Sequence, residues 1–115
     1  MSDASLDISV QNFRRADMIT VSGRVDSNTA SELDQAFKQL TNNSRYNLIV
    51  KMDEVNYLSS AGLRSLVAAL RECKSQRGDV LLVSPSKRVL EVLKLAGLDS
   101  LFTFYEDETA AVGSF

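Results

Sequence analysis

The spacing of apolar positions along this chain changes repeatedly, and each change marks an element. Leu6-Asp7-Ile8-Ser9-Val10 alternates apolar and polar side chains, the period of two that suits a half-buried strand. Gln11 to Ala16 is mostly polar and turns the chain, and Met18-Ile19-Thr20-Val21-Ser22-Gly23 supplies a second strand, paired with the first as a hairpin. Asp26-Ser27-Asn28-Thr29 is a run of helix-capping residue types, after which Ala30, Leu33, Phe37 and Leu40 follow at helical spacing. Thr41-Asn42-Asn43-Ser44 closes that helix. Asn47 to Met52 encloses Leu48-Ile49-Val50, the short apolar run of a strand buried on both faces. A second helix, capped by Ser59 or Ser60, carries Leu63, Leu66, Val67, Leu70 and Cys73 on one stripe and stops near Gly78, read as a residue free to take a positive φ.

Val80-Leu81-Leu82-Val83 is a further buried strand. Ser84-Pro85-Ser86 opens a third helix with Val89, Val92, Leu93 and Ala96 inward, ending at Gly97. Leu101 to Tyr105 reads as a short last strand and Glu106 to Val112 as a short helix. The order ββαβαβαβα predicts a single α/β domain over residues 1–115, with a mixed, mostly parallel sheet of about five strands and about four helices. Leu48, Ile49, Val50, Leu66, Leu70, Leu81, Leu82 and Leu93 are expected at the centre of one core.

Composition narrows the chemistry more than the fold. The 115 residues include no histidine and a single cysteine, Cys73. Ser-His-Asp and Cys-His catalysis, histidine-containing zinc sites and thiolate metal centres are therefore not expected. A net charge of −2 argues against direct nucleic-acid binding. No apolar run is long enough to insert in a membrane, and the opening MSDASLDIS lacks the pattern of a secretory leader, so a cytoplasmic location is expected.

Two strand-to-helix segments remain as candidates. In Asp53 to Arg64, a serine at the helix start has its hydroxyl beside free N–H groups and the positive end of the helix dipole, where a phosphate is accommodated. Gly62 removes a side chain from the first turn and permits close approach. Neither G-x-S-x-G nor G-x-x-x-x-G-K is present, which disfavours a serine hydrolase or a nucleotide-hydrolysing loop. The second segment is Gly23 to Ala30. In a mainly parallel sheet both can share one end of the domain. The same residues also serve as ordinary helix caps, with Tyr57 and Phe102 as packing groups and Arg64, Arg71 and Lys74 as a solvated helix face.

Together, Gly23-x-Val25-Asp26-x-x-Thr29-Ala30 and Leu58-Ser59-Ser60-Ala61-Gly62-Leu63 resemble the STAS domain of bacterial anti-sigma factor antagonists, also found at the tails of sulfate transporters. Val83-Ser84-Pro85, with Val89, Leu93 and Gly97-Leu98 after it, is similar too. The resemblance implies a phosphorylation-controlled binding module and not an enzyme, with no cofactor. In its unmodified form such a module captures an anti-sigma factor, often itself the serine kinase, and so frees a sigma factor; phosphorylation ends the capture and a phosphatase restores it. Aligned on Gly62-Leu63, the family pattern Asp-Ser-(Ser/Thr)-Gly-Leu places the phosphoacceptor at Ser60. It puts Ser59 where the family has aspartate. The implied partner-binding residues are Asp26, Ser27, Asn28, Thr29, Ser59, Ser60, Gly62 and Arg64. The alternative is an unphosphorylated interaction domain serving a separate membrane transporter or signalling assembly.

Overall fold

The computed structural model describes residues 6–115; residues 1–5, the first part of the opening read above for a secretory leader, lie outside them. The elements are β1 (Asp7–Asn12), β2 (Asp17–Val25), α1 (Ala30–Thr41), β3 (Asn47–Leu58), α2 (Ser60–Ser75), β4 (Asp79–Val83), α3 (Lys87–Leu95), β5 (Thr103–Tyr105) and α4 (Glu108–Gly113). Their order matches the expectation. The strands lie side by side as β1-β2-β3-β4-β5, with β1 antiparallel to β2 and every later pair parallel.

That sequential order decides the layering. Each new parallel strand is added on the same side of the last, so right-handed crossovers carry α1, α2 and α3 to one face. Leu33 and Phe37 of α1, Leu66 and Leu70 of α2, and Val89 and Leu93 of α3 pack there with Ile19, Val21, Leu48, Val50, Val80 and Leu82. Adjacent strand residues point to opposite faces. Ile49 and Leu81 therefore leave the single core expected for them and join Met18, Val83, Ala16 and Ala111 of α4 in a second, smaller cluster. Eight core residues named from sequence are all buried, but on two faces.

Most boundaries fall within two residues of the sequence reading, as β1, β2 and α4 do, and three differences bear on packing. β3 continues past Met52 to Leu58, with Met52, Val55 and Leu58 buried and the pairs Asp53-Glu54 and Asn56-Tyr57 exposed. Its pairing with β2 shifts between Thr20 and Ser22 and again between Gly23 and Arg24, each time fitting an extra β3 residue. Gly23, at φ 111°, supplies backbone freedom at the second shift. Period two thus becomes period three, which hides the strand from an alternation search. Ala96 is exposed as the C-cap of α3, and Val92 is only half-buried, because the nine-residue helix ends at Leu95. β5 is confined to Thr103–Tyr105, leaving Leu101 exposed while Phe102 is buried.

The end of α2 reverses the role expected of Gly78. The left-handed residue is Arg77, at φ 66°. Its N–H donates to the Lys74 carbonyl, and the Gly78 N–H donates to the Cys73 carbonyl at 2.8 Å, the paired bonds of a Schellman ending. Gly78 is required for room: a Cβ there would stand 2.0 Å from the Tyr46 carbonyl oxygen. Arg77→Gly is accordingly expected to stabilise the domain by about 0.5–1 kcal/mol, and Gly78→Ala to destabilise it by about 1–3 kcal/mol or more. Urea denaturation of the two variants checks both signs.

Candidate functional site

β2 and β3 run parallel, so the loops leaving their C-terminal ends open α1 and α2 at the same end of the sheet. A backbone bond joins them: the Ser59 N–H donates to the Val25 carbonyl at 2.8 Å. Asp26, next to Val25, and Ser60, next to Ser59, are thereby brought together as expected.

The two adjacent serines have different tasks. Ser59 is the N-cap of α2, extended at φ −86°, ψ 171°, and its Oγ accepts from the Gly62 N–H at 3.2 Å. A hydroxyl caps a helix about as well as a carboxylate, so serine at the position where the resemblance implies aspartate brings no loss to the helix start. Ser60 is the first helical residue and is exposed. Its hydroxyl stands at the positive end of a sixteen-residue helix. Arg64, one turn on, is exposed as well.

Gly62 is a packing residue, contrary to its expected place at a partner surface. It is buried, and a Cβ there would come within 2.6 Å of Val25 Cγ1 and 2.7 Å of Leu58 Cδ1. The missing side chain lets the first turn of α2 sit directly on the ends of β2 and β3. The close approach anticipated at this glycine is made by the domain's own core.

The β2–α1 loop is organised by Asp26. Its carboxylate accepts from the N–H groups of Asn28 at 2.9 Å and Thr29 at 3.0 Å, and from Arg24 Nε at 3.3 Å. Thr29 is buried at 2% exposure and faces inward, its hydroxyl donating to the Arg24 carbonyl at 2.7 Å and receiving the Asp26 N–H at 2.9 Å. It shapes the loop and has no surface to offer a partner. Ser27 and Asn28 are exposed, and Asp26 is half-buried.

The Thr29 N–H, with lesser help from Asn28 and Arg24, holds the Asp26 carboxyl below the usual aspartate value of 3.8. The ionised form is thus favoured by folding. Its contribution to the loop is fully present above the ordinary aspartate range and is lost as the pH falls through the lowered folded value. A carboxyl-carbon NMR titration is expected to place the Asp26 midpoint below 3.8, and a midpoint above it would exclude this network.

Sequence reasoning missed Arg24 and Tyr57. The Arg24 guanidinium lies 4.0 Å from the Tyr57 ring centroid while its Nε reaches Asp26, and Tyr57 is 37% exposed. Tyr57 is therefore a surface aromatic carrying a cation, not a packing group. The period-three spacing of Met52, Val55 and Leu58 is the signal that exposes it. Cys73, by contrast, is fully buried, with its thiol pushed up to about 12 by burial.

Fold and site together define an α/β domain that presents a helix-start serine beside the loop organised by Asp26, at one end of a mostly parallel sheet. The chain belongs to the STAS domain family, whose model matches residues 7–111. It is 25% identical over 93 residues to BtrV of Bordetella bronchiseptica, described as an anti-sigma factor antagonist, across 81% of this chain and 80% of that protein. The crystal structure of an anti-sigma factor antagonist from Mycobacterium paratuberculosis is 26% identical and superposes with a TM-score of 0.86, over 98% of this chain and 96% of that one. The phosphorylated form of the Bacillus cell-fate determinant SpoIIAA shares the fold at 16% identity, with a TM-score of 0.75 over 95% of this chain and 100% of that one.

Proposed function

We propose that this chain is an anti-sigma factor antagonist of the bacterial cytoplasm. Unmodified, it captures an anti-sigma factor and so frees a sigma factor for transcription. Phosphorylation of Ser60 by that partner or another serine kinase ends the capture, and a phosphatase restores it. The chain acts by binding and not by turnover.

The observation that carries this reading is the exposed Ser60 at the first turn of α2, on the same sheet end as Asp26, Ser27 and Asn28. Ser59 is engaged as the cap, which leaves Ser60 as the hydroxyl presented to a kinase. A phosphate on Ser60 would have no carboxylate at position 59 beside it, so the departure from the family pattern eases the modified state within the chain. The names of the relatives supply the partner class. Among the described residues, no helix is long and apolar enough to cross a membrane.

The test is calorimetric titration with an anti-sigma factor from the same genome, alongside phosphate incorporation. Ser60→Ala is expected to bind and to take no label; Ser59→Ala is expected to remain modifiable. Asp26→Ala is expected to weaken capture while leaving a cooperative unfolding transition. Label retained on Ser60→Ala moves the acceptor elsewhere. Equal affinity of the modified and unmodified proteins leaves the unphosphorylated scaffold as the better account.

A further inference from the structure

An open groove runs between α1 and α2, beginning at the end of the molecule that carries Ser60. The α2 wall carries a stripe of Ala61, Arg64, Ala68 and Arg71 beside Ser65 and Val67, and the α1 wall includes Ser31 and Asp34. The stripe has the same helical spacing that buries the other side of α2, but its residues alternate small and cationic; Ala61 is half-buried against the core, while Arg64, Ala68 and Arg71 are exposed.

The charges on the two walls are unequal. Asp34 is paired with Lys38 at 3.2 Å on its own helix. Among the described residues, neither Arg64 nor Arg71 has a carboxylate partner. The two arginines are two turns apart on one face, about 10.5 Å along the axis. Ala68, exposed between them, leaves room for a bulkier side chain from outside.

We infer that this groove receives an acidic amphipathic helix of the captured partner. Two carboxylates, two turns apart on that helix, pair with Arg64 and Arg71, while an apolar side chain between them covers Ala68. The identity of the partner rests on the capture reading above; the chemistry it must offer rests on the groove. Ser60 is four residues before Arg64, within reach of a pair across one helical turn. A phosphate on Ser60 therefore draws Arg64 to itself and removes one of the two cations the partner uses.

The test separates the groove from the capture reading. The probe is a stapled helical peptide with two glutamates seven positions apart flanking a leucine, added at millimolar concentration and followed by amide NMR. Shifts are expected along Ser31, Arg64, Ala68 and Arg71, with affinity about tenfold weaker in the Arg64→Gln/Arg71→Gln protein at low salt, as expected for two exposed charge pairs. No shifts, shifts elsewhere, or equal shifts with a lysine-for-glutamate peptide overturn the inference. So does the same response to inorganic phosphate alone, which marks a simple anion site. An anti-sigma factor captured undiminished by the Arg64→Gln/Arg71→Gln protein overturns the groove and leaves capture standing. Peptide docking without capture of any anti-sigma factor supports the groove and removes the capture reading.

Discussion

Phosphorylation of Ser60 is expected to leave the unfolding transition of the isolated domain in place and to weaken capture of its partner by roughly 30- to 5000-fold. The modification adds about −1.5 to −2 charges and three strong acceptor oxygens. At the first turn of α2 that group meets free N–H donors and the positive end of the helix dipole, so the helix start is not melted. Across an interface the same dianion has to be stripped of water or face acidic groups. An uncompensated buried charge costs about 2–5 kcal/mol, which is the quoted range of affinity. Ser60→Asp, smaller and less charged, is expected to bind poorly but better than the phosphoprotein. Calorimetry and circular dichroism on the matched pair decide the matter. A lost transition would mean that the phosphate acts by unfolding, and unchanged affinity would mean that no switch exists.

Arg45→Met is expected to cost about 3 kcal/mol of stability, because it strands the fully buried Asp17 carboxylate, although Arg45 itself is partly exposed. Asp17 is fully buried at the start of β2, with its Oδ2 held at 2.6 Å by Arg45 Nε and its Oδ1 by the Asn12 side-chain amide at 2.6 Å. Arg45 also donates from Nη2 to the Phe13 carbonyl at 2.7 Å and to the Ala16 carbonyl at 3.3 Å. One side chain following α1 thus fastens the turn between β1 and β2. Removing it leaves a buried carboxylate facing only an amide. The double variant Asp17→Val/Arg45→Met is expected to recover much of the loss, because the stranded charge is gone. Urea denaturation of the single and double variants measures the coupling; single-variant losses below about 1 kcal/mol would place the pair in effective solvent contact. The pair lies at the N-terminal ends of β2 and β3, opposite the Ser60 end, so protein that remains folded is expected to capture its partner normally.

The parts of this molecule that were legible in its sequence are those in which one periodicity runs without interruption. The helical stripes of α1 and α2 and the apolar runs of β3 and β4 announce themselves because uninterrupted packing repeats at a fixed spacing. The second half of β3 does not, since two inserted residues break its alternation and turn Tyr57 outward with Arg24 upon it. The ends of helices were harder still. Which of Arg77 and Gly78 takes the left-handed conformation depends on how near the Tyr46 carbonyl lies, a distance between segments that no local pattern carries. At the site, the neighbourhood of Asp26 and Ser60 follows from topology alone. Whether Gly62 faces a visitor or the interior depends on where Val25 and Leu58 point. The Asp17–Arg45 pair joins residues far apart in sequence, and neither residue type hints at the other.

The strand order has a consequence for how the chain is made. Because neighbours in the sheet are also neighbours in sequence, no strand waits for a later one to be inserted beside it. As the polypeptide leaves the ribosome, the sheet can grow at a single advancing edge, each crossover helix closing over the strand just added. The second face follows a different timetable. Ile49, Leu81 and Val83 meet Ala111 only when α4 has been synthesised. Until then the nascent domain carries one finished side and one bare apolar side, and that bare side is where a ribosome-associated chaperone would find something to hold.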